Sequence, residues 1–285
     1  MNKLILSLVL FLLVATQTKA QMYYETVQKG EFGVSIGGAH YFGDLNTRAS
    51  FNRPRPSVGL FFRKQFGNYV SARVSGHYAQ LGYSDIYSKN EYQRLRNLSF
   101  NTNIYEVAVQ GDFNFFKFLP QDPTRNFTPY VTLGIGLVNF DPYAYLDGNK
   151  YYLRPLGTEG QTIGYEGRKP YNTTTAVIPF GVGIKYNLTE KINISFEVAH
   201  RFTFTDYLDD VSKTYAGLGS FQPGPNGTLS ETQLLQDRSY ELTKDGKPFF
   251  VGGNQRGFSK QKDQYLIAEM SISFNLSSYR CPPTY

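Results

Sequence analysis

Ser75 and His77 stand two residues apart in "VSGHYAQ" (74 to 80). On a strand, positions i and i+2 share a face. The pair could therefore set a hydroxyl beside an imidazole, the nucleophile and base of an acyl transfer. Two residues apart on a strand is also a frequent accident. The other groups able to do chemistry are scattered. The three histidines (40, 77 and 200) and the single cysteine, Cys281, have no ligand spacing, so neither a metal nor a cofactor is expected. More informative are ionised residues set into otherwise apolar alternation: Arg73, Glu106, Asp112, Lys185, Glu197, Arg201 and Glu269.

The elements that would position them alternate. In "INISFEVAHRFTF" (192 to 204), Ile192, Ile194, Phe196, Val198, Phe202 and Phe204 share one face, while Asn193, Ser195, Glu197, Arg201 and Thr203 share the other. Similar stretches cover 31–43, 57–66, 69–83, 100–116, 128–140, 175–188 and 263–276, making eight strands. Short links (Gly67-Asn68, Thr189-Glu190 and the medium 117–127) alternate strictly with long ones (44–56, 84–99, 141–174 and 205–262). That rhythm fits an all-β fold, an eight-stranded antiparallel outer-membrane β-barrel with short periplasmic turns and long extracellular loops. The same alternation could build a soluble lipocalin-like barrel with its apolar face inside. Strand lengths, and aromatics near strand ends, favour the membrane form. They are Phe66, Tyr69, Phe115, Phe118 and Phe127 at one end, and Tyr41, Phe42, Tyr83, Phe140, Phe204 and Tyr207 at the other.

Lipid then meets the apolar face, and the charges line a lumen just wide enough for side chains to fill. Register counting places Arg73 opposite Asp112 near the periplasmic end and brings Arg201 diagonally toward Glu269; Glu106 and Glu197 complete the expected charge network. Ser75 and His77 also face the lumen, away from any acyl chain, so no enzyme is expected. Pro179 lacks a ladder donor, which predicts a bulge in its strand. His200 falls on the lipid side. The third and last long loops mix charge, glycine and proline with few apolar residues and read as solvated stretches or a docking surface.

Residues 1–20 read as a secretory signal: Lys3, the apolar run Leu4 to Ala15, and small residues before Gln21. Residues 21–29 then form a periplasmic segment, 30–276 the barrel and 277–285 a periplasmic tail. One cysteine cannot staple a fold, leaving Cys281 idle or a candidate intermolecular thiol. The formal charge of +6 falls to +4 without Lys3 and Lys19, too little for a nucleic-acid footprint.

Several phrases carry a resemblance to a known family. "GEFGVSIGGAHYFGDLN" (30 to 46), "RPSVGLFFRKQF" (55 to 66), "FTPYVTLGIGLVNFDPYAY" (127 to 145) and "YLRPLGTEGQ" (152 to 161) resemble PorG, the outer-membrane barrel family of the Bacteroidetes type IX secretion system. The resemblance runs from about 30 to 170 and weakens in the last loop. It implies a noncatalytic part of a secretion and gliding machine that contacts a periplasmic ring of PorK and PorN type. Residues 21–29, 117–127 and the tail would project toward that ring. The alternative from the residues themselves is an independent surface barrel whose long loops bind an external ligand.

Overall fold

The computed structural model describes residues 28–119 and 122–277. The readings of residues 1–20 as a signal, of most of 21–29 and the tail as periplasmic segments, and of Cys281 as a thiol lie outside the described residues. Eight long strands form the wall: β1 (Gln28–Phe42), β2 (Arg55–Gln65), β3 (Val70–Ser84), β4 (Ser99–Asn114), β5 (Phe127–Phe140), β8 (Thr174–Thr189), β9 (Ile192–Thr203) and β10 (Gln264–Ser277). The short strands β6 (Tyr143–Leu146) and β7 (Asn149–Tyr152) form a hairpin between β5 and β8. Each long strand pairs antiparallel with its neighbours, β5 with β8 across the inserted hairpin, and β1 pairs with β10 from Gln28↔Ser277 to Phe42↔Gln264. That last ladder closes the ring, so the wall has no free edge. This is the closed eight-stranded barrel expected from the alternation.

Alternation decides what each face meets. Ile36, Leu60, Val109, Ile135, Phe196 and Met270 project outward and are exposed, Ile135 by 71%. Glu31, Arg63, Arg73, Glu106, Asp112 and Arg201 project inward and are buried. A lipocalin-like barrel would show the reverse, with Val109 and Phe196 in a dry centre; here they are 54% and 42% exposed. Among the described residues no helix is long and apolar enough to cross a membrane. Strands of 11 to 16 residues are long enough to do so when tilted.

At one end the connections are tight. Gly67 takes φ +110°, a conformation open to glycine, and the Phe66 N–H donates to the Val70 carbonyl across the turn. The bulge expected at Pro179 is absent. Registers run unbroken through Pro179↔Arg201, and the β5 to β8 ladder instead omits two pairs, those facing Pro179 and Ile178, before resuming in the same register, so side-chain parity is kept. The register shift in this strand comes later, between Asn187 and Thr189.

At the other end the long connections are not the solvated stretches their composition suggested. They fold into a cap with its own core, where Leu45, Leu98, Leu153, Leu208, Val211 and Leu235 pack over the barrel mouth. Short helices punctuate it: α1 (Glu91–Arg96), α2 (Leu153–Leu156) and α3 (Glu231–Gln236), the last opened by a capping box between Ser230 and Gln233. The apolar residues of the cap come singly and without period, so no alternation marks them in advance. Several aromatics expected at the rims are also buried. Tyr41, Tyr83 and Phe140 turn into the cap core, and Phe118 folds beneath the lumen, because parity rather than nearness to a strand end sets direction. Phe66, Tyr69, Phe115, Phe127 and Phe204 remain exposed.

Candidate functional site

Inward positions on all eight strands meet in the lumen as two layers of ionised side chains. Nearer the tight turns, Arg63 on β2 donates from Nε to Asp112 Oδ2 at 2.6 Å and pairs with Glu31 on β1. Arg73 on β3 reaches Glu197 Oε2 at 2.7 Å and Asp112 Oδ1 at 3.5 Å. Lys185 Nζ lies 3.4 Å from Glu31 and 5.3 Å from the ring centres of Phe118 and Tyr130. The Tyr130 hydroxyl donates to Glu197 at 2.7 Å. Ser273 and Asn193 each donate to Glu31 Oε2 at 2.6 Å.

The second layer centres on Glu106. His77 Nδ1 lies 3.5 Å from its Oε1, Arg201 Nε lies 3.5 Å from its Oε2, and the Tyr265 hydroxyl donates to it. His77 Nε2 faces Glu269 at 3.1 Å, and Ser35 donates to the other Glu269 oxygen at 2.9 Å. Together the layers hold four basic side chains (Arg63, Arg73, Lys185, Arg201) besides His77, and five carboxylates (Glu31, Glu106, Asp112, Glu197, Glu269). The charges balance when Lys185 and His77 are both protonated. Ions this deeply buried are tolerable only when paired, and removing one partner strands the other.

Two expected pairings change. Arg73 lies directly across from Gln110, and Asp112 faces Ser71, so the Arg73 to Asp112 contact is diagonal. Arg201 pairs with Glu106 instead of Glu269, because its cross-strand partner is Tyr265, while Glu269 sits opposite Glu197 and is taken by His77 and Ser35. Glu31 and Arg63 were not foreseen. Their signal was parity: Arg63 shares a face with Ser57, Gly59 and Phe61, which the doubled Phe61-Phe62 disguises. Gly59 has a packing role here, since a Cβ at that position would stand 2.5 Å from His77 Cδ2.

The candidate acyl-transfer pair is not assembled. Ser75 Oγ donates to Gln110 Oε1 at 3.0 Å, while both His77 ring nitrogens face carboxylates. The other two histidines stand apart, at the long-loop rim. His40 Nε2 lies 2.7 Å from the Ser50 carbonyl, and His200 Nε2 lies 2.6 Å from Gln264 Oε1, its ring stacked on Phe42.

Above the lumen, the cap is built on buried side chains that satisfy loop backbone. Arg96 forks onto Asp85 with two contacts of 2.7 Å and also donates to the Asp44 carbonyl and, across the cap, to that of Arg256. Arg256 bonds Glu159 at 3.2 Å and the Asp210 carbonyl at 2.6 Å. Glu159 Oε1 in turn accepts the N–H groups of Ser212 and Lys213. Between these hubs lies an acidic group. Asp209 and Asp263 both approach the Tyr41 hydroxyl, at 2.5 and 3.0 Å, and Asp44 accepts from the Phe258 N–H at 2.9 Å. One phenolic hydrogen cannot fully serve two carboxylates, which favours the protonated form of either. Burial pushes the Asp44 carboxyl up to about 6 and that of Asp206 to about 7. Burial, reinforced by their acidic neighbours, also raises Asp209 and Asp263.

A family model described as a domain of unknown function (DUF6089) matches residues 3–226. No curated protein matches the chain. Among solved structures, the chain is similar to Neisserial surface protein A at 8% identity, covering 87% of this chain and 97% of that one, with a TM-score of 0.43. Ail, the attachment invasion locus protein of Yersinia pestis, matches at 10% identity over 87% and 99% of the two chains, TM-score 0.39. The outer membrane protein OprG from Pseudomonas aeruginosa matches at 10% identity over 88% and 100%, TM-score 0.34.

Proposed function

Since the chain belongs to the DUF6089 family, described only as a domain of unknown function, we propose its role from the molecule's own surfaces: a noncatalytic outer-membrane barrel that fastens other components in place. The observation that carries this reading is the coupling of an apolar outer wall to an ion-paired lumen. Exposed Ile36, Leu60, Ile135 and Met270 suit hydrocarbon, whereas Arg63, Arg201, Tyr130, Tyr265 and Lys185 are among the most deeply buried side chains of the molecule. A lumen filled in this way, under a packed cap, is suited to neither conduction nor substrate entry. What it leaves free is the outside: the tight-turn end, the cap and the lipid-facing wall.

The resemblance to PorG supports assignment to the type IX secretion and gliding machinery. In that assignment the tight turns and both termini face the periplasm, where a ring of PorK and PorN type would bear on the Gly67-Asn68 turn and the segment 117–127. A photo-crosslinker at Asn68 should capture the ring lipoprotein or its partner in cells, and one on the cap at Phe249 should not. Capture from Phe249 of an external ligand, with none from Asn68, would instead support an independent surface barrel. That second reading draws on the cap's exposed aromatics, Phe249 and Phe258.

A further inference from the structure

Below the cap, on the outer wall where β2, β3, β4 and the β6/β7 hairpin meet, the side chains change character in order. Lowest are the exposed aliphatics, such as Val107 and Leu137. Next come phenols: Tyr105 is exposed, and its ring lies 5.3 Å from that of Tyr78. Then come amides. The Tyr78 hydroxyl donates to Asn103 Oδ1 at 3.3 Å, and Gln80 donates to that hydroxyl at 3.2 Å. Highest are two exposed cations. Arg55, at the start of β2, reaches across β3 to donate to Asn101 Oδ1 at 3.3 Å. Gly82 lies between them, where a Cβ would stand 2.8 Å from the same oxygen. Lys150 is held by the hairpin: its Nζ lies 3.8 Å from the Tyr143 ring centre and 4.5 Å from that of Tyr152, and donates to the Tyr152 hydroxyl at 3.0 Å.

The two cations belong to one patch. Tyr143 is paired with Asn101 across the β4 to β6 bridge, and its phenol lies within electrostatic range of both Lys150 and Arg55. Among the described residues neither cation forms an ion pair. The cations that the molecule pairs closely are its buried ones, in the lumen and at Arg96 and Arg256. Here two are left facing outward.

We infer that Arg55 and Lys150 form a binding site for the anionic phosphate headgroup of a membrane lipid whose acyl chains lie on the wall below. The vertical order of cation, amide, phenol and aliphatic matches phosphate, glycerol and ester, and hydrocarbon in one amphiphile. A soluble acidic protein would use the cations but not the exposed Val107 and Leu137 directly beneath. The inference rests on the membrane reading of the wall and sharpens it, by giving the barrel a preferred lipid contact on one side.

The test uses the full mature chain, first inserted into phosphatidylcholine vesicles and then extracted in neutral detergent for native mass spectrometry with added dioleoyl phosphatidylglycerol or phosphatidylcholine. The wild-type chain should retain phosphatidylglycerol preferentially. Removing charge should weaken that retention roughly fivefold per cation, so R55Q/K150Q should lose most of the preference. R55K/K150R should keep it, as should R48Q, which removes an exposed arginine outside the patch. Equal retention by R55Q/K150Q and wild type would overturn the site. Inorganic phosphate displacing the lipid at low millimolar concentration would overturn it too, by showing a free-anion site without acyl contact. Failure to insert into phosphatidylcholine, which needs no anionic headgroup, would overturn the membrane reading itself and the site with it.

Discussion

The lumen and the loop cap both bury carboxylates, and they satisfy them differently. In the lumen each of the five carboxylates faces a cation: Glu31 and Asp112 face Arg63, Glu197 faces Arg73, Glu106 faces Arg201, and Glu269 faces His77. In the cap, carboxylates chiefly accept backbone N–H groups. Asp263 accepts from Leu208, Asp209 from Val211, Asp44 from Phe258 and Asp237 from Phe250, each at 2.9 Å. The difference follows from the backbone. Inside the barrel every strand has its ladder, so inward side chains are free to pair with one another across the tube. In the cap the ladder is lost, and buried N–H groups need side-chain acceptors. Arg96 and Arg256 do the complementary work, donating to loop carbonyls.

The comparison breaks most sharply at Asp112, which serves both Arg63 and Arg73. Asp112→Ala leaves two buried guanidinium groups short of a partner and should cost about 3–5 kcal/mol. The urea midpoint of folding in vesicles reads this; an unchanged midpoint would show that the lumen ions are not coupled as described. Next is Leu235→Ala, which opens the cap core at a fully enclosed side chain and should cost about 2–3 kcal/mol. Here the loss should be local. Protease should cut the 204–263 loop faster while the closed barrel keeps its folded gel mobility, and loss of both together would mean that cap and barrel form one cooperative unit.

Smallest is the effect of pH. Asp44, Asp206 and Asp210 have carboxyls raised from the ordinary aspartate value to about 6, 7 and 6, chiefly by burial. A raised native pKa means the folded cap binds protons the unfolded chain does not. The stabilisation is complete below about pH 4 and is lost as pH rises toward 7. Once the intrinsic pH dependence of exchange is divided out, amide protection factors in the cap should therefore be higher at pH 5 than at pH 8, and Asp206→Asn should reduce that difference. The protection factors of barrel-wall amides should change less across the same interval, since the lumen carboxylates face basic side chains.

Much of the wall was legible beforehand, because a period of two is written directly into the residues. Ile194 and Phe196 could be placed outward, and Glu197 and Arg201 inward, without any neighbour being known. The partners were less legible. Arg201 was expected beside Glu269 and pairs with Glu106, because a lumen contact depends on the register of several strands and the tilt of the tube together. The cap was hardest to foresee. Leu208, Val211, Tyr215 and Leu235 carry no period, and their burial depends on three other loops arriving at the same place.

By itself the amino-acid order determined the eight strands of the wall, their faces and the order of shorter and longer links, though not the β6/β7 hairpin, since each rests on local stereochemistry and on hydrophobicity read at fixed spacing. Tertiary structure alone decided that the long links pack into a lid, that Glu31 and Arg63 join the lumen network, and that Arg55 and Lys150 come to one patch. Those outcomes depend on groups far apart along the chain meeting in space, and only the closed geometry of the barrel brings them together.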